Sequence, residues 1–404
     1  MFSKYIEQEC LGGTMIRRMS NLAHSLKAQK GNEKVIDLTL GNPQLPPPNA
    51  YINALKTIAS TEEPLCHGYS STNGDFEARE AIACIIDQFE EVQVTSEDII
   101  MTSGCAGACN VFLKTILDPG DEVIIFSPYF VEYIFYIQNY GGIAIEVPTR
   151  FEDKWQINKQ LLEQKLSNKT RCVIFNSPNN PTGISYTQES IDCILNIIRE
   201  YSIKINRPIW VLNDAVYCRV VEPNIHIHSI FHYKYSAIAY SLSKDVSIPG
   251  ERIGCLAVNP NIPNHNQIVN ALATTNEILG FVHTNKLQMR IIPLIKYATV
   301  DINLYNKSRQ LMCQCLDDLK IQYIRPEGTF FIFPKVEASL DEWEFCKTFA
   351  ENGIVTVPGS GFGCKGFYRI SVCQTPEYIQ SIIPKFKEAF NKTVNQLYKK
   401  RTIT

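Results

Sequence analysis

Short apolar runs recur along the first two-thirds of the chain, separated by stretches whose apolar positions repeat every three to four residues. The runs fall at 98–101, 122–126, 143–147, 171–175, 208–212, 236–240 and 253–258. They are apolar nearly throughout, as expected of strands buried on both faces. Helical patterns lie between most of them, at 75–90, 106–117, 130–139, 158–166 and 188–203. In DPGDE (118–122), Pro119 and Gly120 end one helix and hand the chain to the next strand. Strands alternating with helices predict an α/β domain: a mostly parallel, seven-stranded sheet covered by helices.

After about residue 260 the pattern changes. Long helices are expected at 262–280 and 301–319, short strands around 321–333 and 366–372, and a closing helix at 376–397. This predicts a smaller C-terminal α+β domain. Residues 34–40 (KVIDLTL) alternate like a strand and run into GNPQLPPP (41–48), which is too proline-rich for a helix or a central strand. The expected division is an N-terminal arm at 1–48 that joins the small domain, a large domain at 49–284 and a small domain at 285–404. A chain of 404 residues fits two or three units at roughly 150 residues each.

Charge removes several function classes. Lys and Arg total 39 against 41 Asp and Glu, a net charge of −2. That balance gives no footprint for nucleic acid or an anionic membrane. No apolar run approaches the ~18 residues that span a bilayer, and MFSKYIEQECLGG has no signal-peptide core. A cytoplasmic protein is expected. The 14 cysteines contain no C-x-x-C; the closest pairs are Cys105/Cys109 and Cys313/Cys315. Most others sit inside apolar runs, so core thiols are expected, with no metal. His226 and His228 share a face but lack a third ligand nearby, and read as a surface pair.

Ligands in an open parallel sheet sit beyond the carboxyl ends of its strands. Just after 98–101 comes TSGCAGA (102–108), a turn of small residues opening a helix, whose free N–H groups suit a phosphate. Ser127-Pro128-Tyr129 follows 122–126 and brings an aromatic ring to the same edge. After 171–175 comes NSPNNPTG (176–183), with more shape-fixing residues than a plain turn needs. Asn213-Asp214 and then Tyr217 follow 208–212, and SLSKDVSIPGERIG (241–254) follows 236–240. A helix start, two serines and an arginine can hold a phosphate dianion. An aromatic ring can stack on a flat ligand, a lysine can form a Schiff base with an aldehyde, and a carboxylate can keep a pyridine nitrogen protonated. Together they describe a site for pyridoxal phosphate.

From about 35 to 390 the chain resembles the fold-type I pyridoxal-phosphate enzymes, class I/II aminotransferases. S-x-S-K with Arg eight residues later, NNPTG and D-x-x-Y match that family in order and spacing. Each alone is a common pattern; in register, each at a strand end, they carry the resemblance. It implies a Schiff base at Lys244, which also moves the proton, with Asp214 on the pyridine nitrogen and Tyr217 and Asn180 on the ring oxygen. It implies Tyr129 stacked on the ring, and Cys105 and Ala106 N–H groups, Ser241, Ser243 and Arg252 around the phosphate. Arg369, in FYRISV, would grip the substrate α-carboxylate with Asn180, and Gly41 would lie where the N-terminal segment passes over the substrate. Tyr69 would reach across a homodimer to the partner's cofactor phosphate.

The implied reaction is transfer of an amino group from an L-amino acid to a 2-oxo acid by a ping-pong mechanism. The rival inside the enzyme class is a β-lyase working through the same carbanion. A cofactor-binding regulator is a rival from another class, but the chain shows no basic helix-turn-helix. The family often has a second acidic residue after the aspartate, where this chain has Ala215. Cys105 and Cys109 stand where small or aliphatic residues are usual. For the substrate side chain, Arg290, Phe281 and His283 are candidates by position, within or near EILGFVHTN (277–285).

Overall fold

The computed structural model describes residues 2–7, 12–337 and 340–403. Its helices are α1 (Met15–Lys30), α2 (Asn49–Ala59), α3 (Phe76–Ile86), α4 (Gly104–Ile116), α5 (Glu132–Gln138), α6 (Lys159–Lys165), α7 (Gln188–Lys204), α8 (His265–Ile278), α9 (Lys286–Ile295), α10 (Ile302–Asp318), α11 (Glu342–Glu351) and α12 (Pro376–Ile403). Its strands are β1 (Ile36–Asp37), β2 (Ile99–Ser103), β3 (Glu122–Ser127), β4 (Ile143–Pro148), β5 (Thr170–Asn176), β6 (Trp210–Asp214), β7 (Ser236–Ser241), β8 (Ile253–Val258), β9 (Phe331–Ile332), β10 (Ile354–Val355), β11 (Val357–Pro358) and β12 (Tyr368–Ser371).

Strands β2 to β8 form one sheet in the order β2-β8-β7-β6-β5-β3-β4. All its neighbouring pairs are parallel except those of β8, which runs against both β2 and β7. Both faces are buried along every strand but the edge strand β4, which is why the strands read as unbroken apolar runs. Alternate residues divide between two cores: Ile124, Val173, Val211 and Ile238 face one way, and Val123, Ile174, Leu212 and Ala239 the other. Helices α3, α7 and α9 cover the first face, and α4, α5 and α8 the second. Among the described residues no helix is long and apolar enough to cross a membrane.

The smaller sheet, β11-β12-β9, is antiparallel and shares a core with α10, α11 and α12. The N-terminal segment joins that core through Val35, Ile36 and Leu38, and β1 pairs in parallel with β10. Only Ile36–Asp37 of the expected 34–40 strand forms a strand, and of 321–333 only Phe331–Ile332, with Gly328 in an isolated bridge to Val221. Residues 286–295, expected to open the small domain, pack elsewhere. Met289, Ile291, Ile292 and Ile295 of α9 insert into the core of the large sheet.

One buried carboxyl outside the sheet edge has a measurable consequence. Glu90 accepts hydrogen bonds from Ser229 Oγ and from the N–H groups of Ile230 (3.2 Å) and Phe231 (3.3 Å). Burial nevertheless pushes its carboxyl up from 4.5 to about 7, so the folded state favours the neutral form. The unfolded chain then holds fewer protons between those values, and stability falls as pH rises from 4.5 to about 7. The full swing is on the order of 3 kcal/mol. Glu90→Gln cannot ionise. Its melting temperature relative to wild type is expected to rise from pH 5 to pH 8, and a constant difference would show that Glu90 does not titrate in this window.

Candidate active site

Strand direction gathers the chemistry. The carboxyl ends of β2, β3, β5, β6 and β7 open on one edge, and because β8 is reversed its amino end, with Arg252, opens there too. A cavity of about 200 Å³ lies at this edge. It is lined by Cys105, Ala106, Asn180, Asp214, Tyr217, Ser241, Ser243, Lys244 and Arg252, nine of the residues singled out from sequence.

One end of the cavity is built for an anion. Helix α4 begins directly after β2, and no side chain caps its first N–H groups. The Ser241 hydroxyl is buried there without a hydrogen-bond partner. Arg252, in left-handed conformation, donates from Nη1 to the Pro249 carbonyl at 2.8 Å. Two glycines make the cradle possible. A Cβ on Gly104 would lie 2.8 Å from Arg252 Nη2, and one on Gly254 would lie 2.4 Å from the Gly104 carbonyl carbon.

In the middle stands Asp214. Its carboxylate accepts from the Tyr133 hydroxyl (2.6 Å), the Cys105 thiol (3.2 Å) and the Val216 N–H (3.3 Å). Burial raises its pKa, opposed by these hydrogen bonds and by Lys244. The Lys244 amine donates to the Gly41 carbonyl at 2.7 Å. Burial pulls that amine down to about 8, and the positive charges of Arg369 and Arg252 act in the same direction. Gly41 needs its bare backbone, since a Cβ there would lie 2.5 Å from Cζ of Phe331.

The NSPNNPTG loop is locked by its own asparagines. Asn176 donates to the Asp214 carbonyl (2.7 Å) and accepts from the Asn180 N–H (2.7 Å), while Asn179 Oδ1 accepts from Thr182 Oγ1 (2.9 Å). This aims Asn180 at Arg369, whose Nη1 donates to Asn180 Oδ1 at 2.8 Å. Arg369 is fully buried, donates from Nη2 to the Thr39 carbonyl, and lies over the rings of Phe331 (4.2 Å) and Phe362 (4.8 Å). Its Nε has no partner. The guanidinium is thus fixed in place with a donor to spare, and burial pulls its pKa down to about 10. Glu132, also with one unpartnered oxygen, feels both Arg369 and Arg17, yet burial raises its pKa.

The structure places several of the sequence candidates outside the cavity. Tyr129 does not line the cavity. It is buried with its hydroxyl donating to Glu146 at 3.0 Å and its ring against Gly363. The next residue, Phe130, faces the cavity, as does Tyr136. Tyr69 lies outside it, 90% exposed and edge-on to His283 at 5.8 Å. Arg290 is paired with Glu63 at 3.1 Å, and neither Phe281 nor His283 lines the cavity. Sequence reading missed Tyr133. Its signal was its place on the helix after β3, four residues beyond Tyr129, but only the fold brings it to Asp214.

With this geometry in view, comparison with known proteins is decisive. The sequence profile of the family described as aminotransferase class I and II matches residues 33–386. The chain is a class I and II aminotransferase. It is 27% identical over 370 residues to an aspartate aminotransferase of Thermotoga maritima, covering 90% of this chain and 93% of the relative. It is equally 27% identical to aromatic-amino-acid aminotransferase 2 of Thermococcus litoralis, over 95% of this chain and 97% of that one. A crystal structure of an amino transferase from Eubacterium rectale superposes with a TM-score of 0.90 at 31% identity, covering 97% of this chain and 98% of the other. The aminotransferase assignment and the relatives' names favour transfer over the eliminating alternative. The family uses pyridoxal phosphate, and the donors on this edge of the sheet, above all the unpartnered Ser241 hydroxyl, fit its phosphate end.

Proposed function

We propose that this aminotransferase holds pyridoxal 5'-phosphate in the cavity and moves the amino group of an L-amino acid to a 2-oxo acid in two alternating half-reactions. The observation that carries the reading is the meeting, in one cavity, of a depressed lysine amine, a buried carboxylate and an uncapped helix start. When bound, the cofactor supplies an aldehyde that exchanges with amines and a ring that draws off the electron pair left at a substrate's Cα.

The chain's own residues do the rest. The Cys105 and Ala106 N–H groups, Ser241, Ser243 and Arg252 hold the phosphate. Asp214, kept in place by Tyr133, keeps the ring nitrogen protonated, and Phe130 takes the ring-facing role expected of Tyr129. Tyr217 and Asn180 serve the ring oxygen. Lys244 takes a proton from the substrate's Cα and returns it on the far side of the exchange, a task suited to an amine titrating at about 8. Arg369 and Asn180 hold the α-carboxylate, and Gly41 lies where the N-terminal segment passes over the substrate, its bare backbone packed against Phe331.

The reading includes a homodimer in which Tyr69 serves the partner's phosphate. Supporting it, Leu65, Tyr69, Phe76, Leu294 and Tyr297 all expose large apolar side chains on or beside α3 and α9, which pack on each other. Sedimentation should give two chains per particle, and a single chain would sink this part. The described cysteines are all free thiols, which supports a cytoplasmic setting.

The first test is an absorption spectrum of the purified protein supplied with pyridoxal phosphate, before and after each of a panel of L-amino acids. A visible band shifted by one of them to the absorption of the amine form would establish the reaction and identify the donor. No visible band after supply of the cofactor would refute the reading.

A further inference from the structure

Two thiols and a carboxylate meet in the cavity wall. Cys105 and Cys109 stand one helical turn apart at the start of α4, on the same face. Asp214, the last residue of β6, lies beside them, with Cys105 Sγ donating to its Oδ1 at 3.2 Å. The two sulfurs and a carboxylate oxygen all lie within 4.8 Å of one another, and all three residues line the cavity. The other Asp214 oxygen accepts from Tyr133 at 2.6 Å, which fixes the carboxylate plane.

Nothing in amino transfer calls for the two thiols. Asp214 alone serves the ring nitrogen, and the phosphate end uses the backbone at 105, whatever the side chain. The set is, however, a fair donor set for a thiophilic cation. Zinc-class ions take thiolate sulfur at ~2.3 Å and carboxylate oxygen at ~2.0–2.2 Å in a tetrahedron, which puts ligand atoms roughly 3.5–3.8 Å apart. Separations within 4.8 Å need only small side-chain rotations to reach this. The fourth position opens into the cavity, where a water molecule can complete the shell. Binding releases the two thiol protons, and the resulting surplus of negative charge faces Lys244 and Arg252 across the same cavity.

We propose that the cofactor-free protein binds one thiophilic divalent cation of the zinc and cadmium class through Cys105, Cys109 and Asp214, and that this cation and pyridoxal phosphate exclude each other. The exclusion rests on the function proposed above, because both ligands need Asp214. The cation then holds the chain in an unloaded state, and cofactor supply and metal supply act against each other.

Cadmium is the probe, since its bonds to thiolate absorb in the ultraviolet. The full chain stripped of cofactor should show this band, saturating near one cadmium per chain and reversed by a chelator. Cys105→Ser and Cys109→Ser should each lose it, whereas Cys193→Ser, on the far side of the sheet's first face, should keep it. Protein loaded with pyridoxal phosphate beforehand should not develop it, and the apparent cofactor dissociation constant should rise in proportion to cadmium. Absence of the band, its survival in both cavity variants, or its appearance in the loaded protein without loss of cofactor would each overturn the proposal. If metal-free protein never takes up pyridoxal phosphate, the proposed function fails and the exclusion with it. The cation site itself is read without cofactor and is judged separately.

Discussion

Replacing Lys244 with alanine lowers amino transfer by roughly 10⁴-fold, the upper range for loss of a positioned proton-transfer group. The expectation rests on where the amine sits. It is half-buried, and loss of solvent, helped by the positive charges of Arg369 and Arg252, brings it down to about 8 from an ordinary 10.5. At pH 7.5 about a quarter of such amines are unprotonated, against about one in a thousand for an ordinary lysine. Only the unprotonated amine captures an aldehyde or takes a proton from Cα. Capture of pyridoxal phosphate by the empty protein should therefore accelerate as pH rises and level off above about 8. Single-turnover spectra of wild type and Lys244→Ala, with circular dichroism to confirm the fold, test both halves. A variant that still turns over within tenfold of wild type would remove Lys244 from the chemistry. So would a capture rate flat in pH.

The second large effect belongs to Arg369. Arg369→Lys keeps the charge and loses the planar fork, so kcat/KM for every amino acid should fall by roughly 10²–10³, the loss of one or two charge-assisted hydrogen bonds. The guanidinium is held by Asn180, Thr39 and two phenyl rings with Nε free, and a lysine cannot satisfy these contacts and a carboxylate together. Because the α-carboxylate is common to all amino acids, the loss should be the same across substrates. A loss that tracked the side chain would mean that Arg369 reads the wrong end of the substrate.

The large sheet was legible because strands buried on both faces cannot hide. Each observed strand lies within a residue or two of an apolar run, from β2 at Ile99 to β8 at Ile253. The reversal of β8 was not legible, since direction leaves no mark on composition; it follows from the link at 242–252, which holds no α-helix to carry the chain back for a parallel return. Helices α1, α2, α9 and α11 were missed for local reasons. Helix α2 starts straight after a run of prolines, and α9 carries Pro293. The small sheet's strands β9 and β11 are two residues long, too short for any period. Residues fixed by a motif's shape, such as Asn180, Asp214 and Lys244, come together in the lining of one cavity. Tyr129 and Phe130 are adjacent aromatic residues after one strand, and which of them faces the cavity depends on the turn's geometry, invisible in composition. Tyr133 and Cys105 reach Asp214 only through packing of α4 and α5 against the sheet.

The segment from Thr39 to Leu45 touches residues made very late in translation. Its carbonyls take hydrogen bonds from Arg369, Ser371 and Lys244, its Gln44 N–H reaches the Cys373 carbonyl, and β1 lies against β10. A ribosome releases residue 40 more than three hundred residues before it releases Arg369. The hydrogen-bond partner of Lys244 is therefore among the first parts of the protein to exist, and the clamp that fixes it is among the last. Such long-range closure is slow by nature. A nascent chain halted before Ile354 still lacks β10, Arg369 and Ser371, and with them the backbone pairing and side-chain hydrogen bonds that pin this segment beside Lys244.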